Sequence, residues 1–434
     1  MEILQIRGGR RLEGSLRVQG AKNSVLPILA ASLVSGAVSV IENCPALRDV
    51  EASAAILRHL GCTLRREGST LIVDSGPVDR CDVPDDLMRE MRSSVLFLGA
   101  VLARTGCASL SLPGGCELGP RPIDLHLSGL RAMGAEIAQE GSDLRCRTAG
   151  LRGCEIQLTI PSVGATENLM LAACRAEGTT VIRNAAREPE IVDLQGFLRA
   201  MGASVQGAGS ATVVVEGSRP LTDCCHAVLG DRIAAATYLA AAAASGGDVE
   251  VRGVSYRHLS TVTGIFSEAG CHVCSEPDSV RLRSRGRLRG VGPVHTAPYP
   301  GFPTDAQAPV MAALAGSLGE TVFVENIFSD RYRHVRELRR LGADIRTEGR
   351  VAVVHGVPYL HGAQVRATDL RGGAGLVVAA LAAVGESEVA GLEHIDRGYE
   401  EIETVLAALG ADIRRKESIR KDPDLYREGG DARG

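Results

Sequence analysis

A cysteine and an arginine five positions apart, Cys116 and Arg121, lie in the stretch Pro-Gly-Gly-Cys-Glu-Leu-Gly-Pro-Arg-Pro-Ile-Asp-Leu-His that runs from Pro113 to His126. Its first ten residues hold three glycines and three prolines, which rules out a helix interior or a central strand. A thiol near a permanent cation is drawn toward thiolate, and the same cation can meet an anionic ligand. A lone cysteine is more often a small apolar residue in a core. The irregular backbone is what raises Cys116 above that reading.

The elements on either side would position this loop. Ala108 to Leu112 alternates as a strand does, and Ile123, Leu127 and Leu130 recur at helical spacing, so the segment reads as a strand-to-helix loop. Polar groups stand where other apolar helices begin: Lys22-Asn23-Ser24, Arg92-Ser93-Ser94, Ser162-Val163-Gly164, Asp231-Arg232, Thr304-Asp305 and Asp369-Leu370-Arg371-Gly372-Gly373. Helix starts carry unpaired N–H groups and the positive dipole end, so a cleft onto which several converged would take phosphate or carboxylate. Each taken alone is also an ordinary helix cap.

One signature recurs six times, around Gly61, Gly134, Gly202, Gly270, Gly342 and Gly410, at intervals of 73, 68, 68, 72 and 68 residues. Each copy ends a helical pattern with glycine and opens an alternating strand. The helices expected at Ser24 to Leu33, Ser93 to Ala103, Ala165 to Ala176, Asp231 to Ala244, Asp305 to Ala315 and Gly375 to Ala383 are apolar nearly all round and should be buried on every side. Strands therefore wrap central helices, three units in each of two groups, with a crossover near Leu229-Gly230-Asp231 and a ligand between the groups.

Composition narrows the field. The 434 residues carry 48 basic and 52 acidic side chains, a net charge of −4, no tryptophan and only thirteen phenylalanines and tyrosines together. No basic field or stacking platform for nucleic acid is present. The N-terminal residues lack signal-peptide character and no apolar run is long enough to span a membrane, so a cytoplasmic protein is expected. Twelve scattered cysteines fit reduced thiols. Cys271 and Cys274 fall on an expected strand, where they would point to opposite faces; with Cys224-Cys225-His226 they make a poor zinc set.

The ordered motifs Gly20 to Pro27, Asn43 to Val50, Pro113 to His126, Pro161 to Thr166, Asn184 to Glu190, Pro298 to Asp305 and Asp369 to Gly373 resemble the UDP-N-acetylglucosamine 1-carboxyvinyltransferase family of enolpyruvyl transferases. The resemblance runs from Ile6 to about Arg414. It implies an inside-out α/β barrel in two lobes of three repeats, with boundaries at residues 22–229 for one lobe and 1–21 with 230–416 for the other. The charged tail 417–434 is expected to be disordered.

The implied reaction adds the 3'-hydroxyl of UDP-N-acetylglucosamine to phosphoenolpyruvate and expels phosphate, the committed step of peptidoglycan synthesis. It needs no metal and no cofactor. By the same resemblance Cys116 is the proton donor and Asp305 the base, while Lys22, Arg121 and Arg397 hold phosphoenolpyruvate, with Asn23 and Arg371 beside them. The sugar nucleotide would meet Arg92, the run Arg121-Pro122-Ile123-Asp124-Leu125, Ser162-Val163-Gly164, Asp305 and Ile327. Departures from the family pattern at Gly230, Pro309 and Ser329-Asp330 keep open a nucleotide-sugar-binding paralogue without turnover, and Cys116 with His126 keeps open a hydrolase. No oligomeric state is specified.

Overall fold

Six inner helices explain why so many segments are apolar on every face. They are α1 (Lys22–Ser35), α2 (Phe97–Thr105), α3 (Val163–Ala173), α4 (Arg232–Ala244), α5 (Gln307–Leu314) and α6 (Leu370–Ala382) in a computed structural model that describes residues 2–91, 94–111 and 123–417. Every residue of α1 except Asn23 is buried, and side chains such as Ile28, Leu29 and Leu33 are at most 1 % exposed. Each such burial is worth about 1.5–3 kcal/mol. Helices α1, α2 and α3 pack on one another, as do α4, α5 and α6. The apolar core accordingly falls into two clusters, one spanning Ala21 to Val228 and the other joining Leu4 to Val18 with Ala234 to Ile413.

Around these helices the described residues form six four-stranded sheets of one design. In the third, Glu155–Gln157 runs parallel to Thr179–Arg183, with α3 as the crossover between them. Thr179–Arg183 is antiparallel to Thr212–Glu216, which closes a hairpin with Ser204–Gln206. The pleat places Ile182, Val205, Val213 and Val215 on the core face, all fully buried. An outer helix, here Pro189–Ala200, precedes each hairpin. The repeated glycine follows it with φ between 91° and 102° in all six copies, a conformation a Cβ would penalise. Helices inside and sheets outside, three repeats to a lobe, make an inside-out α/β barrel.

The chain passes from one core cluster to the other twice. The first passage follows strand Glu13–Arg17, which pairs with Asp248–Arg252, and the second follows Cys224–Ala227, which pairs with Val38–Glu42. The two crossing segments touch through a Gly20–Gly230 bridge. A Cβ on Gly20 would lie 1.9 Å from the Asn43 carbonyl oxygen, and one on Gly230 would lie 1.8 Å from that of Gly253. Gly230 thus allows a backbone contact that no side chain could share.

Helix starts differ from expectation at three places. A 3-10 turn, Ser94–Leu96, precedes α2, and another, Thr304–Ala306, precedes α5. Pro309 is the third residue of α5, where its missing N–H falls among those with no helical partner anyway. Helix α6 begins at Leu370 rather than Gly375. Its glycines allow close packing: a Cβ on Gly375 would lie 2.9 Å from the Ala308 carbonyl oxygen.

Candidate functional site

Lys22 opens α1, and its backbone N–H donates to Asp231 Oδ2 at 3.1 Å. Its Nζ lies 2.7 Å from Asp49 Oδ2, in the first turn of the helix Arg48–His59. Arg397 reaches the same carboxylate from the other core cluster, with Nε 2.8 Å from Oδ1 and Nη2 3.3 Å from Oδ2. Burial pushes the Lys22 ammonium below its ordinary pKa; Asp49 opposes this, while Arg371 and Arg397 add to it. Burial would raise the Asp49 carboxyl, but Lys22 and Arg397 outweigh it and hold it low. The result is a pair of cations that shares one buried carboxylate and keeps a net positive charge.

Asp305 sits in the 3-10 turn ahead of α5. Its Oδ1 accepts from Arg331 Nη2 at 2.9 Å, and Oδ2 from Arg371 Nε at 3.2 Å. Both arginine side chains are 3 % exposed while that of Asp305 is 27 % exposed, so the carboxylate is the accessible member. Arg371 is fixed further by Tyr399, whose hydroxyl accepts from Nη1 at 3.3 Å. Asp369 caps α6 through the N–H groups of Arg371 and Gly372. Asp231 caps α4 in the same way. Arg232 beside it makes a two-point pair with Glu190, at 2.9 and 3.3 Å, across the two clusters. Behind Glu190 the fully buried Glu167 is pushed well above the ordinary carboxylate range, first by burial and then by Glu190 and Glu188.

A second group forms where Asp124–Ala132 begins beside α3. His126 is 6 % exposed, with Nδ1 2.9 Å from Asn168 Nδ2. Its ring lies against Gly164, where a Cβ would be 3.2 Å from Cε1. Ile123-Asp124-Leu125 and Ser162-Val163-Gly164 are thereby neighbours, and Ser162 caps α3 through Ala165 N–H. Burial lowers the His126 pKa to about 4, so the ring is neutral near pH 7 and engaged with Asn168. Among the described residues no hydrogen bond or ion pair joins this group to the Lys22 and Asp305 cluster.

The structure thus gathers Lys22, Asp305, Arg371 and Arg397, with half-buried Asn23 next to Lys22. Ile327 is 38 % exposed and connects to Asp305 through Glu325 and Thr304. Cys116, Arg92, Arg121 and Pro122 lie outside the described residues, as does the tail beyond 417. Ser329 and Asp330 are exposed while Arg331 keeps its bond to Asp305. Cys271 is buried and Cys274 exposed, and His226 is taken by Asp193 at 2.8 Å. Sequence reasoning misses Asp49, Arg331, Glu190 and Glu325. An acidic residue in a helix first turn reads as a dipole partner, and only the three-dimensional pairing separates Asp49 from that role.

A family model described as EPSP synthase (3-phosphoshikimate 1-carboxyvinyltransferase) matches residues 6–406. UDP-N-acetylglucosamine 1-carboxyvinyltransferase 2 of Caldanaerobacter subterraneus subsp. tengcongensis is 49% identical, with 96% of this chain and 100% of that protein covered. The chain belongs to the UDP-N-acetylglucosamine 1-carboxyvinyltransferase family. Another member, from Trichlorobacter lovleyi, is 46% identical over 96% of this chain and 99% of its own. Among solved structures, the enolpyruvyl transferase NikO from Streptomyces tendae superposes with a TM-score of 0.85 at 27% identity, covering 95% of this chain and 98% of that one. EPSP synthase from Acinetobacter baumannii, at 18% identity and a TM-score of 0.74 over 96% of this chain and 100% of that one, shares the fold. Like its family, the protein is an enzyme, an enolpyruvyl transferase.

Proposed function

We propose that the protein transfers the enolpyruvyl group of phosphoenolpyruvate to the 3'-hydroxyl of UDP-N-acetylglucosamine, with both substrates held between lobes 22–229 and 1–21 with 230–416. In the addition step the sugar oxygen bonds to C2 of phosphoenolpyruvate, the hydroxyl proton passes to Asp305, and the π electrons take a proton at C3 from Cys116. Elimination breaks the C2–O bond to phosphate and returns the C3 proton, so that an enol ether and inorganic phosphate leave.

Two cation sets serve this chemistry. Lys22 and Arg397, with Arg121, take the phosphate and carboxylate of phosphoenolpyruvate; the two share the single carboxylate of Asp49, which offsets only part of their charge and leaves the site positive for an anion. Arg331 and Arg371 aim the Asp305 carboxylate, a group that can serve as a base within hydrogen-bond reach of the hydroxyl. Ile123, Asp124 and Leu125 together with Ser162, Val163 and Gly164 receive the nucleotide, and Asn23, Arg92 and Ile327 complete the contacts.

The observation that carries the reading is Asp305, an accessible carboxylate on two buried arginines, one of which acts electrostatically on Lys22. The product would enter peptidoglycan synthesis. We place the activity in the cytoplasm, a reducing compartment that suits the eleven free cysteines of the described residues.

The test is phosphate release. Purified protein should liberate phosphate only when both substrates are present, and the product mass should be that of enolpyruvyl-UDP-N-acetylglucosamine. Nucleotide-sugar binding with no phosphate released would point instead to a paralogue without turnover.

A further inference from the structure

Glu325 is 1 % exposed and accepts four hydrogen bonds, three of them on one oxygen. Its Oε1 takes Thr296 Oγ1 at 3.0 Å, Ile327 N at 2.8 Å and Phe328 N at 3.0 Å. Its Oε2 takes Thr304 Oγ1 at 3.0 Å. Two loops are fastened by this one group. The first carries Ile327 at the end of strand Glu320–Val324, and the second leads through Thr304 into Asp305.

The arrangement has further ties. Thr296 Oγ1 accepts from Asn326 N at 2.8 Å, and Arg331 donates to the Thr304 carbonyl at 3.0 Å as well as to Asp305. Thr304 is therefore held at its hydroxyl by Glu325 and at its carbonyl by the arginine that aims the base. Neither the family resemblance nor the reaction chemistry gives Glu325 a part, and its four hydrogen bonds all come from protein donors.

We infer that Glu325 is a positioning residue that sets the distance between the general base Asp305 and the sugar-contacting loop at Ile327. This rests on the roles proposed above for those two residues. A base must lie within hydrogen-bond reach of the hydroxyl it deprotonates, and a misplacement of about 1 Å can cost on the order of 10²-fold in rate. Lys22 and Arg397 are held by Asp49, and no hydrogen bond among the described residues ties either to Glu325, so the phosphoenolpyruvate cations do not depend on this carboxylate.

The chemistry of the four bonds makes the variants informative. In Glu325→Gln the amide oxygen can keep the Oε1 bonds, and the amide N–H₂ can donate to Thr304 once that hydroxyl turns to accept. In Glu325→Ala the two backbone N–H groups and both hydroxyls lose their acceptor. Steady-state kinetics should show Glu325→Gln within about threefold of the parent, and Glu325→Ala with kcat down on the order of 10²-fold. KM for UDP-N-acetylglucosamine should rise in Glu325→Ala while KM for phosphoenolpyruvate stays within about twofold, a split that loss of folded protein alone cannot produce.

A folded Glu325→Ala with parental kcat would overturn the inference, as would Glu325→Gln as impaired as Glu325→Ala, or equal rises in both KM values. Asp305→Asn run alongside separates the two readings. If it too keeps parental kcat, the base assignment has failed; if it alone is impaired, the positioning role has failed.

Discussion

Replacing Asp49 by asparagine tests the electrostatics of the proposed phosphoenolpyruvate site most directly. The carboxylate is 2.7 Å from Lys22 Nζ, is 2 % exposed, and is the group that most opposes the effect of burial on that lysine. Asparagine keeps the shape and one acceptor oxygen but removes the charge. An opposite charge at this range typically moves a pKa by about 1–3 units, equivalent to about 1.4–4 kcal/mol.

Without it, burial together with Arg371 and Arg397 pulls the Lys22 pKa lower, and the ammonium is lost at a lower pH. The assay is kcat/KM for phosphoenolpyruvate against pH, which reports ionisations of the free enzyme and free substrate. The alkaline limb should move down by about 1–3 pH units in Asp49→Asn. Adding Lys22→Arg, a cation that does not titrate in this range, should abolish the movement. A folded, active Asp49→Asn enzyme with an unmoved alkaline limb would refute the reasoning.

Asp305→Asn should lower kcat by roughly 10²–10⁴-fold, the usual contribution of a general base, while calorimetry still detects UDP-N-acetylglucosamine binding. His126 has a folded pKa of about 4 against 6.5 for the free side chain. It contributes stability that is present above pH 6.5 and lost as pH falls toward 4, up to about 3 kcal/mol; thermal melts of His126→Gln should lose that part of the acid slope. If Cys116 is the proton donor proposed above, fosfomycin, an epoxide open to attack by a thiolate, should alkylate it faster when UDP-N-acetylglucosamine is present, and an unmodified Cys116 in intact-mass analysis would count against that role.

What could be read from the sequence was whatever local sterics dictate. Glycine at 61, 134, 202, 270, 342 and 410 is demanded by a left-handed turn that each residue's own backbone imposes. Helices apolar on every face could only lie inside, which gave the layering. Lys22, Asp305, Arg371 and Arg397 were legible through motif resemblance, because their types suit the substrates. Asp49 was not, since its partner Arg397 is 348 positions away and neither residue's neighbours announce the other. Glu325 was hidden for the opposite reason: a buried acid at a strand end looks anomalous until its four donors are seen. The 3-10 turn at Thr304 also escaped, because tertiary bonds to Thr304 override a pattern that reads as continuous helix.

Strand Glu2–Arg7 lies between Glu386–Ala390 and Asp412–Glu417, antiparallel to both. Strand Glu2–Arg7 is thus the third strand of a sheet whose other members, from Gln364 onward, are made long after it. At about 5–20 residues per second it waits on the order of 20–80 s for its neighbours. The segment from α1 to strand Cys224–Ala227 has no such wait, since every strand of its three sheets lies within it. Synthesis therefore sets an order: one lobe can close as it emerges, while in the other strand Glu2–Arg7 waits for its sheet partners until Asp412–Glu417 has been made. Truncation at the C-terminus would leave that strand edge exposed, so shortened chains should aggregate through the N-terminus rather than at the cut.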